Sequence, residues 1–235
     1  MSEPLRHRLL AGCGVAHGFG VRGAPVPAEV LCPVQVHGNA VARVGPGFAL
    51  EPEEADAVVS RASGRAVAVV TADCLPVLAC CDDGGAVAAI HAGWRGLGAG
   101  VIRSGIAALR AERAGPQCSE SACRVVAVVG PHIGLCCYEV DEPVLRSLER
   151  RFAGELEGAL EPTRPGHARL DLLALARVEL ARAGLDRDAI GWLPGTCTRC
   201  DPDRFHSYRR DGAGAGRLLH HVAARAPHPG AIPEP

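Results

Sequence analysis

Four short apolar runs constrain the fold of this chain more than any other feature of its sequence. They are rich in small and β-branched residues and cover 66–72, 77–81, 86–91 and 125–129. Runs of this length and composition are typical of β-strands. Because they do not alternate strictly between apolar and polar residues, they predict a sheet that is covered on both faces.

Three helical segments are expected around these strands. Apolar residues recur at helical spacing over 97–113 and over 170–183, and a third helix is expected after Asp141, through 145–152. Gly184 directly follows the second segment, as is common where a helix ends. A layered arrangement with helices on either side of the sheet is expected. We assign the chain to the α+β class, with three layers, α/β/α, and a mixed β-sheet.

Composition limits the domain organisation and the partners. The 235 residues are 48% hydrophobic and contain no internal repeat, so we expect one domain, 1–226, followed by a frayed tail, 227–235. A formal net charge of -1 with scattered arginines argues against nucleic acid as a main partner. No run approaches the roughly 20 apolar residues of a membrane helix, so no membrane partner is expected either.

Cysteine usage bears on the compartment. The chain has 11 cysteines, an odd number that cannot pair completely within one molecule. Its first residues lack the apolar stretch of a signal peptide. We therefore expect reduced thiols and a cytoplasmic location, where disulfides are rare.

The tetrapeptide DDGG at 82–85 predicts a tight hairpin between two of the apolar runs. If two of its residues form the turn, the paired positions add up to 167 or to 169, as they do in an antiparallel register. His91 then lies opposite Pro76 or Leu78. Cys74 is only a few residues upstream, and a bend at the proline can turn it back toward His91.

Two other polar features accompany this pair. HAGWRG at 91–96 is a glycine-rich turn into a predicted helix, whose free amides favour an anion, and Arg95 can add a phosphate or carboxylate contact. His37 interrupts the strand-like segment 31–44. By itself such a histidine is more often a hydrogen-bonded structural residue than a metal ligand.

Taken together, these segments form a series of motifs that resembles the YfiH family. Members of this family are also described as multicopper polyphenol oxidases, as purine nucleoside phosphorylases and as peptidoglycan editing factors. The series runs in order through nearly the whole chain. It comprises QVHG at 35–38, ADAVVS at 55–60, TADCLP at 71–76, HAGWRG at 91–96, GPHIGLCCYEV at 130–140, LDL at 170–172, and CT with FHSYRRDG between 196 and 212.

The resemblance implies a YfiH-like fold and one zinc ion bound by His37, Cys74 and His91, with copper as the alternative metal. It assigns catalysis to the same three residues. Thiolate and imidazole are good zinc ligands, and three protein ligands leave the fourth position open, as in catalytic zinc sites. A purely structural site would have a fourth protein ligand instead.

The activity implied by the resemblance is the phosphorolysis of adenosine, inosine, guanosine and methylthioadenosine, together with adenosine deaminase activity. Purine nucleoside and phosphate are thus the expected partners, for a monomer or a small homo-oligomer. Zinc can serve both reactions, by acidifying a water molecule or by positioning phosphate. Arg95 and Arg209, in HAGWRG and FHSYRRDG, are the candidate phosphate-binding residues.

Two other functions stay open. In the first, Cys74 and His91 act as nucleophile and base, with His37 as the orienting group, in a hydrolase that edits peptidoglycan precursors. In the second, the protein is a copper-dependent, laccase-like polyphenol oxidase. Blue-copper chemistry needs several clustered histidines and a weak axial ligand, which makes this the poorer fit.

Three further features have consequences for the site. Asp73 either caps the turn before Cys74 or orients a ligand. Cys197 and Cys200 have the spacing of half a zinc knuckle, but no second pair of matching spacing exists, so a separate structural zinc is not expected. Compared with relatives, few residues separate HGF at 17–19 from QVHG. We expect this shorter segment to alter the affinity or choice of substrate and to leave the metal ligands intact.

Overall fold

The strands of the chain form three sheets in the computed structural model, which describes residues 2–114 and 123–226. The largest sheet is mixed and has, in spatial order, β13 (Ile190–Trp192), β9 (Val125–Val129), β7 (Leu75–Cys81), β8 (Val87–Ala92), β5 (Ala57–Ser60), β3 (Val41–Val44) and β4 (Leu50–Glu51). The second sheet has the order β1 (Ala16–Gly18), β14 (Leu218–Ala223), β6 (Ala66–Thr71) and β2 (Val30–Leu31). The third has the order β10 (Glu139–Asp141), β12 (His167–Leu170) and β11 (Leu160–Pro162).

Six α-helices lie within the described residues. They are α1 (Arg8–Gly12), α2 (Trp94–Ala99), α3 (Val101–Ala114), α4 (Glu142–Phe152), α5 (Leu172–Arg182) and α6 (Tyr208–Asp211). The helix predicted over 97–113 is two helices, because Gly100 between them adopts a left-handed backbone with φ of 84°. The helices predicted after Asp141 and near 170–183 are present as α4 and α5.

Both faces of the large sheet are buried, as the unbroken apolar runs predict. Alternate residues of β7 show this: Val77 and Ala79 pack in a core with helices α2 to α5, whereas Leu78 and Cys80 pack in a second core. The second core is closed mainly by the four-stranded sheet, with α1 as its helical part. The predicted combination of helices with a mixed sheet is confirmed. The predicted α/β/α layering is wrong for the second face, because a sheet and not a layer of helices covers it. A sheet gives the same apolar burial as a helix, so strand composition cannot distinguish the two covers.

The hairpin formed by β7 and β8 has the first of the two predicted registers. Pro76 pairs with His91 and Leu75 with Ala92, so the paired positions add up to 167. The bend beside Cys74 differs from the prediction. Pro76 lies inside β7, and the chain turns at Asp73, whose φ is 88°. Residues 72–74 therefore form the corner where the chain passes from the four-stranded sheet into the large sheet.

Other sequence expectations concern single segments of the chain. The segment 31–44 is not one strand, because a loop with left-handed His37 separates β2 from β3. The expectation that all thiols are reduced is wrong for Cys81 and Cys123, which form a disulfide. The predicted tail, 227–235, lies outside the described residues. Among the helices that the structure describes, none is long and apolar enough to span a membrane.

Candidate metal centre

Three side chains from distant parts of the sequence meet between the two larger sheets. His37 comes from the loop before β3, Cys74 from the corner before β7, and His91 from β8. Their nitrogen and sulfur ligand atoms all lie within 4.8 Å of one another. Cys74 Sγ is 4.0 Å from His37 Nε2, and the two imidazole rings meet edge to face with centroids 4.9 Å apart.

A buried carboxylate orients His91. Asp56 Oδ1 lies 2.7 Å from His91 Nδ1, and both side chains are almost fully shielded from solvent. Asp56 directly precedes β5 and lies beside His91 of β8, whose backbone amide donates to the Asp56 carbonyl oxygen at 2.7 Å. Because Nδ1 is engaged by the carboxylate, Nε2 is the nitrogen available to a ligand or metal, as in the carboxylate–histidine–zinc arrangements of metalloproteins.

The same carboxylate also holds the backbone around His37. The amides of Val36, His37 and Gly38 donate to the Asp56 oxygens at 3.2, 2.9 and 2.6 Å. His37 has a φ of 63°, a left-handed conformation that is uncommon outside glycine and needs such support. Asp56 therefore fixes two of the three candidate ligands. Sequence analysis gave it no role, although it is the one charged residue of the ADAVVS motif.

Asp73 ties the corner beside Cys74 to the C-terminal part of the chain. Its carboxylate accepts hydrogen bonds from Thr198 Oγ1 at 2.5 Å, from Ser207 Oγ at 3.0 Å and from the Arg209 amide at 2.6 Å. These partners are two hydroxyl groups and one backbone amide. The side chain therefore fixes the position of the backbone next to Cys74. These bonds also explain how Asp73 keeps a left-handed φ.

The electrostatics of the three groups favour a deprotonated sulfur. Burial raises the pKa of the Cys74 thiol, but hydrogen bonds to His37 and His91 outweigh it and lower that pKa to about 7. Burial lowers the pKa of His91, yet its bonds to Asp56 and Cys74 raise it to about 9. A dication bound between these groups would take the thiolate and the neutral imidazole as ligands, so its binding would release the protons that they still carry.

A glycine is required where the chain leaves β8. A Cβ atom at Gly93 would lie 2.9 Å from Cys74 Sγ and 3.4 Å from His37 Cδ2. The glycine of HAGWRG therefore lets the backbone pass directly against two candidate ligands.

The donor set fits a single zinc ion. Tetrahedral zinc with ordinary bond lengths to sulfur and nitrogen places those atoms about 3.6 Å apart, close to the 4.0 Å between Cys74 and His37. The group has three members, and among the described residues no fourth His, Cys, Asp or Glu joins it. His132, whose Nδ1 lies 2.8 Å from the Gly130 carbonyl oxygen, is buried elsewhere. An ion held by these three side chains would keep one tetrahedral position without a protein ligand.

The cavity in front of these ligands has a volume of about 640 Å³, within the range of small-molecule sites. Both arginines singled out from the sequence line it. Arg95 stacks over Trp94 with Cζ 4.3 Å from the ring centroid, and Arg209 donates to the Glu139 carbonyl oxygen at 2.8 Å. Sequence analysis missed Arg217, a third cation of the cavity wall, because it lies outside the recognisable motifs. The remaining lining residues are Pro33, Gln35, Val70, Thr71, Ala72, Asp73, Tyr138 and Tyr208.

The fold and this site define a mixed α/β protein with two histidines and one cysteine at the foot of a cationic cavity. Comparison with known protein families shows which family the chain belongs to. Residues 21–225 match the family described as multi-copper polyphenol oxidoreductase laccase. The chain therefore belongs to this family, which is the YfiH family that its motifs resemble.

Individual relatives share most of the chain. A purine nucleoside phosphorylase of Xylella fastidiosa is 42% identical over 182 residues, which cover 75% of this chain and 65% of that protein. The purine nucleoside phosphorylase YlmD of Geobacillus stearothermophilus is 31% identical over 83% of this chain and 72% of its own length. The crystal structure of YlmD from that organism aligns with a TM-score of 0.81 at 25% identity, over 96% of this chain and 97% of that one. The match thus spans just under two thirds of the length of the Xylella protein.

Proposed function

We propose that this protein is a zinc-dependent purine nucleoside phosphorylase that also deaminates adenosine. The observation that carries the proposal is the group of His37, Cys74 and His91 at the foot of a cavity with three arginines in its wall. Relatives that share this stretch of chain are named purine nucleoside phosphorylases. Adenosine, inosine, guanosine and methylthioadenosine are the proposed substrates.

Phosphorolysis joins a phosphate oxygen to C1′ of the ribose and breaks the bond from C1′ to the purine nitrogen. The products are ribose 1-phosphate and the free base. Arg95 and Arg209 are suited to hold the phosphate, because planar guanidinium groups bind its oxygens in pairs. Their backbone and ring contacts hold both side chains at the cavity wall before a ligand arrives.

Deamination replaces the amino group of the purine ring by an oxygen from water and releases ammonia. His37, Cys74 and His91 would hold the zinc ion, and Asp56 keeps His91 in the tautomer whose Nε2 faces the cavity. When bound, zinc supplies a Lewis acid at this position. The aromatic rings of Trp94, Tyr138 and Tyr208 line the same cavity and offer stacking surfaces for a purine.

The proposal is tested with purified protein of measured metal content. Incubation with adenosine and phosphate should give adenine and ribose 1-phosphate, and incubation with adenosine in water should give inosine. Cys74→Ala should lose both activities and the ion bound by His37, Cys74 and His91, whereas Cys13→Ala, which removes a buried thiol of the second core, should keep both activities and that ion. Zinc-loaded protein that forms none of these products would contradict the proposal.

The arginines give a finer test of the phosphate site. Arg95→Gln and Arg209→Gln should each raise the KM for phosphate about 10- to 100-fold, since a hydrogen bond to a charged group contributes about 1.5–3 kcal/mol. The KM for the nucleoside should change less. Arg146→Gln alters an exposed ion pair on α4 and serves as the control. An unchanged phosphate KM in both cavity variants would place the anion elsewhere.

A cysteine-dependent hydrolase acting on peptidoglycan precursors is the second candidate. The contact between Cys74 and two imidazole groups favours it, because this is the arrangement of an activated thiol nucleophile. Chelation separates the two functions: removal of the ion should abolish the phosphorylase and leave a metal-free thiol hydrolase active.

Metal analysis of the purified protein distinguishes zinc from copper as the bound ion. Of the ten cysteines in the described residues, eight are free thiols and two form the Cys81–Cys123 disulfide, so the larger share supports a reducing compartment such as the cytoplasm.

A further inference from the structure

A second group of potential metal ligands lies outside the candidate metal centre. Cys136 and Cys137 come from the loop between β9 and β10, and Cys197 and Cys200 come from the loop after β13. Their four sulfur atoms all lie within 4.8 Å of one another. Cys200 Sγ is 3.3 Å from Cys137 Sγ and 3.6 Å from Cys136 Sγ. All four are free thiols.

These separations match a tetrahedron of sulfurs around one ion. With zinc–sulfur bonds of about 2.3 Å, tetrahedral geometry places neighbouring sulfurs about 3.8 Å apart. A disulfide would instead bring two sulfurs to about 2.05 Å. We propose that Cys136, Cys137, Cys197 and Cys200 bind one structural Zn²⁺ as a closed four-thiolate site.

Groups around the sulfurs suit their deprotonated form. The Gly134 amide donates to Cys197 Sγ at 3.3 Å, and Arg199 Nη1 donates to Cys137 Sγ at 3.6 Å. Four thiolates around a dication leave a net charge of about minus two, which such donors offset. Four protein ligands fill the tetrahedron, so this ion has no open position for a substrate. Zinc, which has no redox chemistry, is the usual occupant of such closed sites.

The ion would fasten the loop that carries Tyr138, a residue of the cavity wall, to the loop after β13. His132 and Cys197 already form a parallel bridge, in which the Thr198 amide donates to the His132 carbonyl oxygen at 3.0 Å. Thr198 Oγ1 in turn binds Asp73, next to Cys74, and Tyr138 follows Cys137 into the cavity wall. The proposed zinc would thus stabilise the two loops that hold Asp73 and Tyr138 next to the candidate metal centre of His37, Cys74 and His91. This role does not depend on which reaction the first site performs.

The proposed site differs from the sequence analysis, in which a separate structural zinc is not expected. Only Cys197 and Cys200 have a recognisable knuckle spacing, and the adjacent pair Cys136 and Cys137 lies about 60 residues away along the chain. The folded chain supplies the missing pair. Spacing rules that require two similar knuckles therefore do not detect it.

Zinc counting on the purified full-length protein tests the proposal. Reduced wild-type protein should hold two zinc ions per chain by mass spectrometry of the metal, and Cys197→Ser/Cys200→Ser should hold one. Cys74→Ala should also hold one, and Cys13→Ala should hold two. Unchanged zinc content in the double variant would overturn the proposal.

Cobalt identifies the second ion independently of the first site. Cys74→Ala reconstituted with Co²⁺ should show the intense sulfur-to-cobalt charge-transfer and visible bands of a tetrahedral four-thiolate site. Adding Cys136→Ser, an exposed position, to Cys74→Ala should weaken or shift these bands while circular dichroism stays unchanged.

The proposal is overturned if reduced Cys74→Ala binds neither Zn²⁺ nor Co²⁺, if its native ion is iron, or if Cys137 and Cys200 are isolated as a disulfide. If the double variant fails to fold, alkylation of Cys74→Ala replaces it as the test. Protection of the four thiols that is lost on chelation supports the proposal. Alkylation of these thiols without a chelator contradicts it.

Discussion

The carboxylate of Asp56 is the shared support of two candidate metal ligands. One oxygen contacts the His91 ring, and both oxygens accept hydrogen bonds from the backbone amides of the left-handed turn that carries His37. The side chain is completely buried, so among the described residues these hydrogen-bond partners stabilise a negative charge at this position in place of water. The hydrogen bonds from His91 and from the Gly38 and His37 amides overcome the effect of burial and hold the pKa of Asp56 below its usual value.

Replacing this carboxylate should weaken metal binding without removing a ligand. Asp56→Asn should lower zinc affinity about 10- to 100-fold, the usual effect of losing an outer-shell partner of a metal-binding histidine. A competition titration with a chelator of known affinity measures it. Asp188→Asn, which changes an exposed carboxylate paired with Arg124, is the matched control. Wild-type affinity in Asp56→Asn would mean that His91 does not depend on Asp56 for its orientation.

The β7–β8 hairpin sets the distance between Cys74 and His91, and its turn is packed against the rest of the fold. Gly84 has a φ of 72°, and its carbonyl oxygen accepts the Arg225 amide just after β14. A Cβ atom there would lie 2.5 Å from the Cys13 carbonyl oxygen, directly after α1. The turn therefore requires glycine both for its backbone conformation and for this close approach.

Gly84→Ala should destabilise the protein by about 1–3 kcal/mol, the cost of a left-handed non-glycine residue, with the contact to Cys13 adding to it. Chemical denaturation measures the change in the free energy of unfolding. Gly154→Ala is the control, because a Cβ atom there meets nothing within 4 Å and its φ is not positive. Equal stability of the two variants would show that the turn tolerates a side chain.

The stability of the whole molecule should depend on pH through His220, which lies fully buried on β14. Its Nδ1 accepts the Gly20 amide at 3.2 Å, and its Nε2 lies 2.9 Å from Thr71 Oγ1. Burial, followed by the charges of His221 and His91, lowers the pKa of His220 to about 3 from 6.5. The folded protein therefore keeps this ring neutral over a range in which the unfolded chain protonates it.

Because the unfolded state binds the extra proton, this contribution is complete above pH 6.5 and is lost as the pH falls toward 3. His220 alone should lower the free energy of unfolding by up to about 1.4 kcal/mol per pH unit in that window. His220→Gln should flatten the dependence between pH 6 and pH 4 by about one proton. Above pH 7.5 both proteins should show the same slope, which is the internal control. Parallel curves at acidic pH would contradict the neutral state of His220.

Local patterns were sufficient for a substantial part of this structure. The apolar runs located β6 to β9, and the DDGG turn predicted a register that includes the observed pairing of Pro76 with His91. This succeeded because strand composition and turn chemistry act over a few residues. The break at Gly100 was missed, since a glycine inside an apolar helical pattern is compatible with a continuous helix as well as with two.

By itself the sequence determined the burial of the central strands, the hairpin and the closeness of Cys74 to His91. Only the tertiary structure decided that Asp56 supports both histidines, that a second sheet covers one face, and that Cys136 and Cys137 meet Cys197 and Cys200. The physical reason is sequence separation. Hairpin partners are brought together by their own turn, whereas these groups meet only after separate sheets and loops have packed, and no local pattern records that packing.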